Sequence, residues 1–241
     1  MGLHGGMYCV LTGAGISTES GIPDFRGPNG VWTKDPAAQR MFTLDAYVSD
    51  PALRVRAWRS RMEHAAWTAE PNDGHRALVD LERKGLLHTL VTQNIDGLHQ
   101  KAGNDPALVV EMHGTLFGVE CLRCGARTTM ADALDRVRAG EEDPPCLACG
   151  GVLKSATVSF GQSLDPADVE RARVAAVECG TFLAVGTSLT VHPVAALAPL
   201  AKRAGAQLVI VNAEPTPYDG IADEVVREPI GLALPRLVGA A

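Results

Sequence analysis

The chain has 241 residues, 46% hydrophobic and 21% charged, which allows one domain of ordinary composition with an insertion and a sizeable core. A formal net charge of −6 excludes a general nucleic-acid or anionic-membrane surface. No apolar run approaches the ~18 residues of a membrane span.

In chain order, Met1 to Met7 has neither a basic region nor a long apolar stretch, so no export signal and a cytoplasmic protein are expected. Met1-Gly2 opens like a myristoylation site, but Gly6 stands where serine or threonine belongs. Met7 to Leu11 reads as a short strand running into Thr12-Gly13-Ala14-Gly15-Ile16-Ser17 and on to Gly21. A glycine-rich turn directly after a first strand can bring backbone N–H groups against a pyrophosphate. The dinucleotide fingerprint is incomplete, since its third glycine would fall at Thr18. The loop Ile22 to Gly27 offers one aromatic, Phe25, and one cation, Arg26. It fits either a mobile lid or a plain loop salt bridge.

From Trp32 to Trp67, prolines at 36 and 51 and scattered Met41, Leu44, Leu53, Trp58 and Met62 predict short helices. Asn72-Asp73 caps a clearer helix, His75 to Lys84, with Ala77, Leu78 and Leu81 inward and Gly85 as its stop. Leu86 to Val91 reads as a buried strand that ends in Gln93, Asn94 and Asp96. A second apolar run, Leu108 to Met112 apart from Glu111, delivers His113, and Gly114 permits a sharp exit. Neighbouring strand ends bearing amide, carboxylate and imidazole suit a polar ligand. On those residues alone, solvated loops with a surface histidine are the alternative.

Four of the six cysteines pair off as Cys121-Leu-Arg-Cys124 and Cys146-Leu-Ala-Cys149, with 21 residues between the pairs and a glycine after each. This is close to zinc-ribbon spacing. Four thiolates fill a tetrahedral Zn2+ shell and leave no position for substrate water, so the expected site is structural. Disulfides are the alternative, disfavoured in a reducing compartment. Cys9 and Cys179 lie in apolar surroundings and read as small core residues.

Beyond the cysteines the pattern is regular. Thr157 to Gly161 is strand-like, Asp165-Pro166 opens a helix to about Glu178, and Thr181 to Val185 is a strand ending in Gly186-Thr187-Ser188. Val194 to Arg203 is a helix, and Gln207 to Val211 a strand ending in Asn212-Ala213-Glu214. Alternation of this kind implies an α/β fold with a doubly wound, parallel, Rossmann-like sheet. The turns at 13–15, 93–94, 113, 161, 186–188 and 212–214 all follow strands and should line one rim, within reach of one nucleotide-sized ligand.

The ordered set TGAGIS at 12–17, GIPDFRG at 21–27, TQNIDGLHQKAG at 92–103, HG at 113–114, the two cysteine pairs, FG at 160–161, GTSL at 186–189 and VNAE at 211–214 resembles the sirtuins, NAD-dependent protein deacylases. The resemblance runs from about Tyr8 to Leu237. It implies a discontinuous NAD-binding domain (1–31, 73–117 and 156–241) and a small domain made of a helical insertion (32–72) and a zinc ribbon (118–155). It implies NAD+ as co-substrate, its phosphates against Gly13-Ala14-Gly15 and Ser188, with Ser17, Gly186 and Thr187 in the same two turns. Asn212, Ala213 and Glu214 would face the adenosine ribose, and Ile230 the adenine. Nicotinamide would enter a pocket of Ala14, Ile22, Asp24, Phe25, Gln93, Asn94, Ile95 and Asp96, with Arg26 on the lid. An acyl-lysine protein or peptide would pair its backbone with Val158, Phe160, Gly161 and the Val191 region. His113 would act as general base on the ribose hydroxyls, with Asn94 orienting the ribose. Free lysine, nicotinamide and O-acyl-ADP-ribose are the implied products.

Three departures from the family pattern stand out. Only about six residues precede the first strand, so the usual preceding helix is expected to be absent or very short. Lys154-Ser155 replaces the usual Arg-Pro. Members that remove succinyl or malonyl groups carry Tyr-x-x-Arg, whereas counting back from Glu70 to His75 puts Arg59 and Met62 there, or Trp58 and Arg61 after a one-residue shift. Neither register supplies the tyrosine, so acetyl or another uncharged acyl group is expected. Mono-ADP-ribosyl transfer from the same NAD site and a non-catalytic NAD- and zinc-binding module are the rival functions.

Overall fold

The computed structural model describes residues 6–239. The expectations for Met1 to Gly5, export signal and preceding helix included, fall outside them. Among the described residues, nine strands form two sheets. The larger contains β1 (Tyr8–Thr12), β2 (Leu87–Thr92), β3 (Val109–Glu111), β7 (Thr181–Val185), β8 (Gln207–Val211) and β9 (Glu224–Val226) in the order β3-β2-β1-β7-β8-β9. All its pairings are parallel. The chain builds outward from β1 through β2 to β3, then returns to β7 on the other side of β1. The order therefore reverses between β1 and β7, where open α/β sheets leave a crevice at the carboxyl ends of their strands.

Strand alternation sorts the core into two layers. Tyr8, Val10, Leu183, Val185, Val209 and Val211 face one side, against the helix Asp73–Arg83 (α2) and the helix Ile230–Gly239 (α7). Cys9, Leu11, Phe182, Ala184, Leu208 and Ile210 face the other, against Pro166–Glu178 (α5) and Leu197–Arg203 (α6). Cys9 and Cys179 are buried free thiols in this second layer.

The smaller sheet, β5-β4-β6, is antiparallel and contains β4 (Gly114–Cys121), β5 (Arg127–Thr129) and β6 (Leu153–Thr157). The helix Met130–Arg138 (α4) covers it, and Trp58 of the helix Pro51–Met62 (α1) shares a core with Val119, Met130, Leu134 and Leu153. Asp143 accepts from Arg54 Nε at 2.8 Å, and Leu153 O accepts from Tyr47 Oη at 2.9 Å. The two insertions are thereby joined into one small body beside the large sheet.

Two sequence expectations are corrected. Thr157 to Gly161 is not a strand of the large sheet: β6 ends at Thr157 in the small one, and Phe160 then bridges to Thr43. Gly161, at φ +91°, therefore lies off the strand-end rim. The helix expected from Val194 opens as a 3-10 turn, Val194–Ala196, and becomes α-helical only at Leu197. No helix of the described residues is long and apolar enough to cross a membrane.

Candidate active site

The crevice between β1 and β7 is closed by two turns that need glycine. An added Cβ on Gly15 would lie 2.7 Å from Gly186 Cα, and one on Gly186, at φ +58°, 2.4 Å from Ile16 N. Gly13 N donates to Val185 O at 3.0 Å and Gly15 N to Gly186 O at 2.8 Å. These amides therefore bind turn to turn, and the absent side chains first serve close approach. The space a Cβ would take is occupied by the backbone of the facing turn, so the glycines lock the two turns into one base beneath the crevice.

From this base a single polar network runs across the strand ends. Gln93 Nε2 donates to Thr187 Oγ1 at 2.8 Å. Asn94 Nδ2 donates to Gly13 O and to Ser17 Oγ, both at 3.1 Å, and Ser17 Oγ donates to Asp96 Oδ2 at 2.7 Å. Both Nδ2 hydrogens of Asn94 are thus used, which leaves Oδ1 as its free group, an acceptor. Burial pushes the Asp96 carboxyl up, while the Leu98 amide and the Ser17 hydroxyl pull it down. Its carboxylate organises the loop from inside, since Leu98 N also donates to Oδ1 at 3.0 Å.

His113, one residue past Met112, whose amide donates to Thr92 O at 2.9 Å, sits 3.0 Å through Nδ1 from Gln93 O. A carbonyl can only accept, so Nδ1 carries the proton and the neutral ring presents a bare Nε2. Burial lowers the His113 pKa and the Gln93 bond partly restores it, which favours the neutral, proton-accepting form near pH 7. Val158 N donates to His113 O at 2.8 Å, tying the imidazole to the segment that follows β6.

The lid residues pack on each other. Phe25 packs tilted against Trp32 and edge-to-face against Phe42, with centroids 4.8 and 5.6 Å apart, Trp32 lies 5.8 Å from Phe160, and Arg26 stands 4.6 Å over the Trp32 ring. Asp24 caps its own turn by accepting from Gly27 N at 2.9 Å. Ile22, Pro23, Asp24 and Lys34 line a cleft of about 360 Å³ under this loop. Ile95 packs with Ile22, Leu98 and Leu116. Ser188 Oγ lies 2.8 Å from Thr190 Oγ1.

On the far side, the Asn212-Ala213-Glu214 turn is held by Arg227, which donates to Asn212 O at 2.6 Å and Glu214 O at 3.0 Å. Ile230 opens α7 as a buried residue, and Gly231 N donates to Glu19 Oε1 at 3.0 Å. Turns 13–15, 93–94, 113 and 186–187 are directly linked. The 212–214 turn joins them because Gly186 N donates to Val211 O at 2.8 Å.

The sequence reading did not single out Thr12, Thr92 or His99. Thr12 Oγ1 and Thr92 Oγ1 lie 2.8 Å apart, and Asn94 N donates to Thr92 Oγ1 at 3.0 Å. A hydroxyl at the end of each of two adjacent strands was the available signal.

A second cavity, of about 30 Å³, lies between α1 and the chain after β6, lined by Tyr47, Trp58, Arg61, Lys154, Ser155 and Val158 among others. Burial lowers the pKa of Arg61 and holds Lys154 down to about 8. Lys154 Nζ donates to Ser155 O and Thr157 O, whereas Arg61 reaches only Ser155 Oγ, at 3.4 Å. Arg59 instead points outward and pairs with Glu142.

The sulfurs of Cys121, Cys124, Cys146 and Cys149 all lie within 4.8 Å of one another, with 3.5 Å for Cys121–Cys149 and 3.7 Å for Cys124–Cys146. Zn–S bonds of ~2.3 Å give a tetrahedron with edges of about 3.8 Å, so the thiol set fits one zinc ion. An added Cβ on Gly151 would lie 3.0 Å from Cys121 Sγ. That glycine makes room for the sulfurs.

A model of the Sir2 family matches residues 13–193. NAD-dependent protein deacetylase 2 of Streptomyces coelicolor is 56% identical over 232 residues, covering 96% of this chain and 96% of that protein. NAD-dependent protein deacylase 2 of Pyrobaculum aerophilum is 41% identical over 233 residues, 96% of this chain and 90% of its own. A solved structure of Sir2 with a p53 peptide and NAD+ superposes at a TM-score of 0.88 with 34% identity, covering 98% of this chain and 94% of that one.

Proposed function

This chain belongs to the Sir2 family, and from that premise we propose how its residues serve an NAD-dependent protein deacylase that takes acyl-lysine proteins or peptides. NAD+, when bound, supplies the ribose carbon that nicotinamide leaves and the ADP-ribose that receives the acyl group. The carrying observation is the tautomer of His113. With Nδ1–H pinned to Gln93 O, its bare Nε2 is ready to take a proton from a ribose hydroxyl. Asn94 Oδ1, the free acceptor on the neighbouring strand end, orients that ribose. Turns 13–15 and 186–188 hold the phosphates, Asn212 and Glu214 the adenosine ribose, and Ile230 the adenine. Phe25 and Arg26 on the aromatic lid exclude water from the nicotinamide side.

Phe160 N donates to Phe42 O and Phe160 O accepts from Leu44 N. Ser159 N donates to Gln162 Oε1 and Ser159 O accepts from Gln162 N, both at 2.9 Å, so Gly161 is the position of this segment left for a substrate peptide to pair with. Four cysteines suit a structural zinc held as thiolates, a site that needs its sulfurs reduced and so fits a reducing compartment such as the cytoplasm.

Single-turnover assays that follow nicotinamide and deacylated peptide side by side test the roles. His113→Ala should keep zinc, fold and most NAD+ affinity while deacylation falls about 100- to 10,000-fold. Asn94→Ala should slow nicotinamide formation itself. Deacylation by His113→Ala at the parent rate overturns the assignment.

Acetyl or another uncharged acyl group is the proposed cargo, since Trp58 stands three residues before Arg61 where a phenol would be needed. A second reading, carboxylate-ended acyl chains, is favoured by one observation. Arg61 faces the cavity beside Val158 and, among the described residues, has no carboxylate within ion-pair distance. On one peptide backbone, acetyl-lysine should react at least about tenfold faster than succinyl-lysine, the value of a missing charge-assisted hydrogen bond. A succinyl preference that Arg61→Met abolishes would establish the second reading instead.

A further inference from the structure

Two imidazoles that the deacylation roles leave unused are buried beside the glycine turn. His75 and His99 are 0% and 1% exposed, with ring centroids 5.0 Å apart. His75 Nδ1 accepts from Asn72 N at 3.4 Å and completes the cap of α2, while Asn72 Nδ2 donates to Ile16 O at 2.7 Å. A ring nitrogen that accepts is unprotonated, so neutral His75 carries its proton on Nε2. His75 Nε2 and His99 Nδ1 are the two buried imidazole nitrogens without a partner among the described residues. A buried donor and a buried acceptor on adjacent rings are satisfied together when one water bridges His75 Nε2–H to His99 Nδ1.

That choice fixes the rest of the chain of bonds. His99 then carries its proton on Nε2 and donates to Thr12 Oγ1 at 2.9 Å. Thr12 Oγ1 donates to Thr92 Oγ1 at 2.8 Å, and Thr92 Oγ1 also accepts Asn94 N–H at 3.0 Å. The side-chain donors run from the helix cap to Thr92 Oγ1, where the relay meets the Asn94 amide donating from the opposite side. Burial depresses both imidazoles, His75 to about 4 and His99 well below its ordinary value, so the relay is neutral at working pH.

We propose that His99, oriented by His75, is a positioning residue that fixes the Asn94 backbone through the hydroxyls of Thr12 and Thr92 and so sets the geometry for nicotinamide release. His99 need touch neither NAD+ nor peptide. This inference rests on the deacylase reading for its rate consequence, but its structural consequence stands apart from it.

Two measurements on the zinc-loaded chain test it. In His99→Leu, amide hydrogen exchange at Asn94 should accelerate about tenfold, as it should in Thr92→Val, while His99→Gln, whose amide can reach Thr12, should restore protection. In single turnover at saturating NAD+ and acetyl-peptide, nicotinamide formation should fall about tenfold in His99→Leu and Thr92→Val and recover in His99→Gln, with the peptide KM unchanged in all three. Parent-like protection of Asn94 in Thr92→Val, or equal losses in the Leu and Gln variants, overturns the proposal. A parent chain that does not deacylate removes the functional reading instead, and the exchange result still decides the relay.

Discussion

His113 follows β3 and His99 lies in the short helix Leu98–Ala102 (α3) after β2, and their partners separate their roles. One keeps a bare nitrogen toward the crevice and the other has its ring nitrogen committed to a threonine. His113 was legible in the sequence because an apolar run delivers it and a glycine follows. His99 was not, because its work is done through hydroxyls that read as ordinary strand residues. The glycines were legible as a turn but for an incomplete reason: Gly13 and Gly15 first allow contact with Gly186. Gly186→Ala should therefore be costly. Its φ of +58° is strained for any Cβ, and that Cβ would meet Ile16 N at 2.4 Å. The two turns must separate, and the KM for NAD+ should rise roughly tenfold, about what 1.4 kcal/mol of strain gives, with the peptide KM unmoved. Equal KM values for NAD+ in variant and parent would show that the turns tolerate separation.

Elements with strong periodicity or caps were readable: α2 behind Asn72, and the strands β1, β7 and β8 with their unbroken apolar runs. Those missed had weak local signals. The edge strand β9 has three residues, one of them Glu224, and α7 contains Pro235, which argues against a helix until tertiary packing against α2 outweighs it. The β4 strand also escaped, since its first residues read as the exit from His113. The four cysteines were legible as one set because metal geometry constrains spacing more tightly than packing does, whereas β5 and α4 between the pairs were not. The core of this module is small, and two of its buried core positions are Cys121 and Cys146 themselves. Zinc should hence dominate its stability: zinc-finger peptides gain about 10–16 kcal/mol from metal, as much as a domain's whole stability of roughly 5–15 kcal/mol. Purified protein should contain one zinc per chain, and a strong chelator should unfold the small body. Gly151→Ala should lower zinc affinity, because its Cβ crowds Cys121 and Cys149 at 3.0 and 3.2 Å. Metal analysis beside circular dichroism reads both, and a metal-free chain that keeps its fold and activity would refute the structural role.

For the whole molecule, strand alternation with helices revealed a doubly wound sheet, but the reversal of order between β1 and β7 depends on long-range pairing that no local pattern records. The same assembly buries imidazoles in numbers that matter for acid stability. Burial, with Arg61 and Arg76 adding like charge, holds His64 and His75 down to about 4, and burial with His75 beside it takes His99 well below its ordinary value. An unfolded histidine titrates near 6.5. Between pH 6.5 and about 4 the unfolded chain therefore binds more protons than the folded one, and stability must fall as pH falls. The stabilisation is complete above pH 6.5 and declines below it. At pH 5 His64 and His75 each cost about 2 kcal/mol, and His99 and His113, both lowered by burial, add in the same direction. Asp96 and Glu111, whose carboxyls burial pushes up, act in the opposite sense, so the steepest loss belongs above the carboxylate range. Urea midpoints should fall sharply from pH 7 to pH 5, and His75→Gln, which has no proton to gain, should flatten part of that slope. A midpoint independent of pH across this window would mean that the imidazoles gain protons without leaving the fold, and that the buried pair is open to water.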